Sequence, residues 1–187
     1  MIGPMFHMLS QSSASLDYCD VEGGTSGINL NDTGSSYTWS TGCYDMDPLF
    51  VDPANGDYHL QSAVGRWDEA INDWVADAQT SPAIDTGNPV GGIEDEPDPD
   101  GYNLRKNLGA YGGTAQASQT PEGWSLLCDV NNDGMVDFAE FALLAAGWQQ
   151  EAQSPADGDF NVDQYVSALD MVMLCEEWLG TTGWGAP

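Results

Sequence analysis

Over the first 120 residues, apolar and polar positions alternate in short runs; helical spacing appears clearly only near the end. Ser15-Leu-Asp-Tyr-Cys-Asp-Val21 alternates and stops at Glu22-Gly-Gly. Tyr37-Thr-Trp39 is a second short run, and Pro48-Leu-Phe-Val51 and Asp57-Tyr-His-Leu60 flank the turn Asp52-Pro-Ala-Asn-Gly56. Short runs with Gly and Asn between them predict short strands, so this part reads as all-β. Its one helical candidate is 67–78, where Trp67, Ile71, Trp74 and Val75 fall at helical spacing. Two clearer helices follow. Residues 138–148 carry Phe141, Leu144 and Trp148 on one stripe, and 168–178 carry Met171, Leu174, Cys175 and Trp178. The pattern predicts a mainly β chain with a small α module.

Those two helices belong to an internal repeat. A shift of 30 residues carries Asp129 onto Asp159, Asn131 onto Asn161, Asp133 onto Asp163, Val136 onto Val166, Glu140 onto Asp170 and Trp148 onto Trp178. The first copy, Asp129-x-Asn131-x-Asp133-Gly134-Met135-Val136-Asp137-x-x-Glu140, has the calcium-loop pattern. Oxygen side chains stand at loop positions 1, 3, 5, 9 and 12. A hard cation wants about six to eight oxygens. Met135 would add its carbonyl, and Gly134 permits the sharp bend. Val136 predicts an apolar residue pairing across to a second loop. The second copy, Asp159-x-Asn161-x-Asp163-Gln164-Tyr165-Val166-Ser167-x-x-Asp170, departs twice. Gln164 replaces the Gly, and Asp170 reaches less far than Glu, so this site is expected to be the weaker. Acidic turns that merely cap helices are the structural alternative.

Pro and Gly precede both loops (Thr120-Pro-Glu-Gly and Ser154-Pro-Ala-Asp-Gly), so only exiting helices are expected. A duplicated calcium loop with an exiting helix alone resembles a type I dockerin, over about residues 126–180. The resemblance implies two Ca²⁺ ions. Their ligands would be Asp129, Asn131, Asp133, Met135 (carbonyl), Asp137 and Glu140, and then Asp159, Asn161, Asp163, Tyr165 (carbonyl), Ser167 through water, and Asp170. It also implies a cohesin partner read by Phe138, Ala139, Ala168 and Leu169. Dockerins tend to carry small hydroxyl residues there. The apolar residues at these positions favour packing onto the chain's own body or onto a neighbour.

Charge narrows the partners. Thirty acidic residues face three basic ones, Arg66, Arg105 and Lys106, giving a net charge of −27. Such a chain repels nucleic acid and anionic membrane. It instead suggests bound cations, a high-salt setting or a solvated acidic surface. No apolar run is long enough to span a membrane. Met1–Met8 lacks the features of a secretion signal, so an exported protein would need one from outside this sequence. Four cysteines allow three pairings; Cys19–Cys43 and Cys128–Cys175 are preferred, against four free thiols. Calcium and disulfides together predict an extracellular or cell-surface setting.

A second resemblance lies upstream. Residues 45–60, then Thr80-Ser-Pro-Ala-Ile-Asp-Thr-Gly87, then Asn107-Leu-Gly-Ala-Tyr-Gly-Gly113, are similar to the C-terminal end of secreted bacterial right-handed parallel β-helix proteins. It covers about residues 14–116 and implies a short solenoid end with Leu49, Val51, Tyr58 and Leu60 facing its core. The expected division is 1–115 terminal coils and cap, 116–125 linker, 126–180 calcium module and 181–187 tail. Two coils fall short of the three or so repeats a solenoid needs, so an open stack is expected, covered by missing coils or by another molecule. The acidic loop 91–101 reads as solvated.

Catalysis is weighed and set aside. Uronate lyases need basic residues that are scarce here, the chain has too few coils to seat a glycosidase carboxylate pair, and no nucleophile motif occurs. The expected role is a non-catalytic calcium-dependent structural or attachment protein that self-associates, with a filament as one form. The alternative is the docking region of a larger carbohydrate-active enzyme that binds a cohesin. Carbohydrate would be bound only through an upstream region.

Overall fold

The computed structural model describes residues 6–9, 11–152 and 154–184; the chain ends of 1–115 and 181–187 fall partly outside them. Near the N-terminus the strands pair in parallel. Strand β1 (Phe6–Met8) lies beside β3 (Ile28–Leu30), and β2 (Ser13–Leu16) beside β4 (Ser36–Trp39). One further parallel bridge joins Asp20 to Tyr44. The chain then turns antiparallel. Strands β5 (Phe50–Asp52) and β6 (Asp57–Leu60) form a hairpin around a 3₁₀ turn at Pro53–Asn55, and β7 (Arg66–Asp68) pairs with β8 (Asp73–Val75).

Every sheet among the described residues has two strands, so no coil closes into a solenoid. The β-helix expectation is corrected accordingly: the parallel rungs stop at Tyr44, and hairpins replace them. The expected inward row fails with it. Leu60 is buried, but Tyr58 is 45% exposed, and Leu49 sits at a left-handed φ of 49°. The body's small core is Leu60, Ala83 and Ile84, with Phe50, Leu108 and Trp124 against it. Mainly β with a small α part stands as the coarse architecture.

The helical reading of 67–78 is also corrected. Trp67 and Trp74 face each other across β7 and β8, ring centroids 5.5 Å apart and edge to face. Asn72 at φ 52° makes the turn between them, and Ile71 is 61% exposed. The spacing that resembles two helical turns is the register of a hairpin.

Helices α1 (Phe138–Gly147) and α2 (Ala168–Glu177) appear as expected, each ended by its Trp in extended backbone. Leu144 and Leu174 are buried, together with Cys128, Val130, Val136, Phe160 and Val166. Trp148 remains 39% exposed. Gly147 ends α1 where a Cβ would meet the Asp157 carbonyl at 2.3 Å, so only glycine lets the next turn pack this closely.

Val136 and Val166 share this core but do not pair with each other. The Leu179 N–H donates to Val136 O (2.9 Å) and the Val136 N–H to Gly180 O (3.1 Å). Reciprocally, the Gln149 N–H donates to Val166 O (2.9 Å) and the Val166 N–H to Gln150 O (3.0 Å). Each loop is thus bound to the chain leaving the other helix.

The expected linker is packed rather than free. Ser118 Oγ donates to Leu60 O at 2.6 Å, and Trp124 Nε1 donates to Ser81 O at 3.2 Å. Glu96, in the acidic stretch taken as solvated, is buried and accepts from the Asn107 and Gly113 amides at 2.8 and 2.7 Å. Among the described residues no helix is long and apolar enough to cross a membrane.

Candidate metal centre

In the first loop Asp129 is fully buried. Its Oδ1 accepts from the Asp133 amide (3.2 Å) and its Oδ2 from the Gly134 amide (3.0 Å). Asn131 Oδ1 accepts from the Asp133 amide (2.9 Å), and Asp133 Oδ1 from the Met135 amide (3.1 Å). Short acidic and amide side chains that accept two residues ahead wind the chain into consecutive turns. Asp137 then caps α1, its side chain accepting from the Ala139 amide at 2.7 Å. Glu140 Oε2 accepts from the Asp137 amide at 3.0 Å, completing a capping box.

The other oxygen of Glu140 has no partner, and the residue is fully buried. An unsatisfied buried carboxylate oxygen costs a few kcal/mol, on the order of 1–3. Burial pushes the Asp129 carboxyl up to about 7; Arg105 pulls it down, and Asp133 and Glu140 push it up further. Burial likewise raises Glu140, against its amide bonds and with Asp133 and Asp137 adding repulsion. Oxygen donors, crowded negative charge and an orphaned carboxylate oxygen fit a hard divalent cation.

The second loop repeats the turns. Asp159, also fully buried, accepts from the Asp163 and Gln164 amides at 3.0 and 2.9 Å. Asn161 Oδ1 accepts from the Asp163 amide, and Asp163 Oδ1 from the Tyr165 amide, both at 3.0 Å. Ser167 caps α2 by accepting from the Leu169 amide at 3.1 Å. Asp170 is where the loops diverge. Both of its oxygens are engaged, Oδ1 by the Asn161 amide (3.1 Å) and Oδ2 by the Ser167 amide (2.8 Å). Among the described residues no group of three or more His, Cys, Asp or Glu is gathered closely enough to hold a metal. Apart from Glu140 Oε1, the carboxylates of both loops are turned to backbone amides and to the Asn131 and Asn161 side chains instead.

Phe138, Ala139, Ala168 and Leu169 are all exposed, Phe138 at 73% and Leu169 at 61%. They do not form one patch. Phe138 stacks edge to face on Trp178 at 5.3 Å, at the end of α2, whereas Ala168 and Leu169 begin that helix, about 15 Å away along its axis.

The cysteines depart from the expected pairs, since all four are free thiols. Cys128 is buried against Glu177, whose Oε2 accepts its amide at 2.8 Å, while Cys175 is exposed on α2. Cys19 and Cys43 are ladder neighbours; burial raises the Cys43 thiol, against a hydrogen bond from the Cys19 backbone that lowers it.

The sequence singled out Arg105 only as one of three cations and did not single out Asn132 at all. Arg105 is buried at 1% exposure, with Nη1 donating to Asp129 O (3.2 Å) and Nη2 to Asn132 Oδ1 (2.6 Å). The available signal was scarcity, since Arg105 is one of three cations; its guanidinium donates to the Asp85 and Asp129 carbonyls and to Asn132 Oδ1, not to a carboxylate. The other two are paired at the body, Arg66 Nε with Asp77 at 3.1 Å and Lys106 Nζ with Glu94 at 2.6 Å.

Comparison with known proteins bears on the body alone. A family described as disaggregatase related matches residues 26–87, from the turn before β3 to the segment after Ile84. That is 62 of 187 residues. No curated protein and no solved structure matches. This match, together with the two-stranded sheets and the lack of a gathered metal-holding group among the described residues, overturns both resemblances drawn from the sequence, the β-helix end and the dockerin. The two C-terminal loop–helix units are therefore described by their geometry alone.

Proposed function

We propose that the chain is a non-catalytic, calcium-binding structural protein whose C-terminal loop–helix pair serves attachment. The observation that carries this reading is the orphaned Glu140 Oε1, buried in the same loop as Asp129. A cation there would satisfy it and offset the repulsion among Asp129, Asp133 and Glu140. The bound ion would take Asp129, Asn131, Asp133, the Met135 carbonyl, Asp137 and Glu140 as ligands. A weaker second ion would compete with the amide bonds that hold Asp170. Exposed Phe138 and Leu169 offer two separate apolar contacts for a partner, and the surrounding acidity favours one that is not itself strongly acidic. An extracellular or cell-surface setting follows from a weak site that needs abundant calcium.

The test is calcium titration by calorimetry, with Tb³⁺ luminescence sensitised by tryptophan as a second probe. The intact chain should bind one ion clearly tighter than the other. Glu140→Gln should weaken the tighter site at least tenfold, and Asp170→Asn should affect only the weaker. No heat and no luminescence at millimolar ion would sink the calcium reading.

A further inference from the structure

The two loops of the C-terminal pair are not equivalent in their surroundings. The fourth residue of each has a left-handed backbone, Asn132 at φ 55° and Val162 at φ 56°. Val162 is 45% exposed. Asn132 is 3% exposed and reaches into the β body. Its Nδ2 donates to Gly42 O at 3.0 Å and to Thr86 O at 2.9 Å. Its Oδ1 accepts from Arg105 Nη2 at 2.6 Å. Arg105 then ties three parts together: Nε donates to Asp85 O (3.2 Å), Nη1 to Asp129 O (3.2 Å), and its backbone N–H to Asp85 Oδ1. Asp85 Oδ1 also accepts from the Leu104 amide at 2.9 Å, and its Oδ2 accepts from Ser125 Oγ. Every side chain in this cluster is buried.

We propose that this Arg105–Asn132–Asp85 cluster makes the first loop a calcium-dependent latch between the C-terminal pair and the β body, with Arg105 and Asn132 as positioning residues for the ion. The inference rests on the calcium reading of that loop. The physical ground is shared atoms. Asp129 would ligate the ion through its carboxylate while its carbonyl holds Arg105. Asn132 sits in the turn between ligands Asn131 and Asp133. An ion that fixes the loop backbone therefore fixes the donors and acceptors presented to Gly42, Thr86 and Arg105. Coupling is reciprocal, so the body must also favour the ion. The second loop has no such connection at Val162, and its ion would act on the C-terminal pair alone.

The test is amide hydrogen exchange on the intact chain, with calcium and with a chelator. The informative body amides are those of Asp85, which donates to Asn107 Oδ1 at 2.9 Å, and Gly87, which donates to Lys106 O at 2.8 Å. Calcium should slow both by about tenfold or more, on the scale of ordinary coupling. Asn132→Gly keeps the left-handed turn and removes only the side chain. It should abolish calcium's effect at Asp85 and Gly87, leave the Gly134 amide protected, and weaken the tighter site about tenfold. Val162→Gly should leave the body response intact. Protection confined to loop amides in the unaltered chain would overturn the latch while leaving calcium binding standing. No calcium effect even at Gly134 would instead reject the calcium reading itself. The unaltered chain decides between these outcomes even if Asn132→Gly folds poorly.

Discussion

At the scale of single residues, the loops differ most at their sixth positions. Gly134 and Gln164 occupy the same left-handed region, φ 91° and 76°. A side chain with a β-carbon is strained there by about 1–2 kcal/mol, and glycine is not. Gln164 is exposed, and its amide already donates to Asp159. Gln164→Gly should therefore stabilise the chain by about 0.5–1 kcal/mol after the added freedom of the unfolded state is counted. Denaturant melts in chelator would measure this; a loss of stability would show that the side chain holds something the backbone angle does not reveal. This strain was legible in the sequence, because a calcium-loop pattern with Gln in place of Gly announces it. Asn132 was not legible, because a turn residue pointing into another part of the chain looks like any other turn residue.

At the scale of elements, periodicity read the helices and misread the hairpin. Both helices begin with a residue whose side chain accepts from the third helical amide or its neighbour, and an acid three residues on reaches back. The pattern Asp137-x-x-Glu140 and Ser167-x-x-Asp170 showed this directly. The same spacing logic failed at 67–78, because two tryptophans seven apart are compatible with either a helix face or a two-strand register. Tertiary pairing, which single-chain spacing does not contain, decided for the hairpin. The caps carry a prediction of their own. Ser167→Ala in chelator should cost about 1 kcal/mol, as cap removal does elsewhere. Far-ultraviolet circular dichroism through a thermal melt would register the lower midpoint; an unchanged midpoint would mean that α2 is held by packing of Leu174 alone.

For the molecule as a whole, negative charge is the dominant fact, and burial makes it matter. Burial lifts three aspartates from an ordinary 3.8: Asp20 to about 6, and Asp85 and Asp129 to about 7. Such groups hold protons in the folded chain that the unfolded chain has already released. Stability should therefore be greatest near pH 4, as far as these groups decide it, and fall as pH rises to about 7. Asp57, held against its own burial below its ordinary value by His59, works the other way, but its contribution is lost only as pH falls below about 4, so it leaves the decline above that pH in place. Urea unfolding in chelator across that range tests the sign, and Asp85→Asn should flatten part of the decline. Stability that rises over the same interval would contradict the burial argument. Calcium should remove the share of the fall that belongs to Asp129, where an ion would take the place of the proton, and leave the shares of Asp20 and Asp85.

The reciprocal binding of each loop to the chain leaving the opposite helix bears on the order of events during synthesis. Among the described residues, Gly134 and Val136 of the first loop find distant backbone partners in Leu179–Thr182, more than about 40 residues later in the chain. Until that segment has left the ribosome, Asp129 and Asn132 stand beside the body without the strand-like contact that closes their loop. The body can settle early, but the junction with it waits for the last turn of the second unit. A product shortened before Leu179 would leave Gly134 and Val136 without these backbone bonds and the acidic first loop half closed.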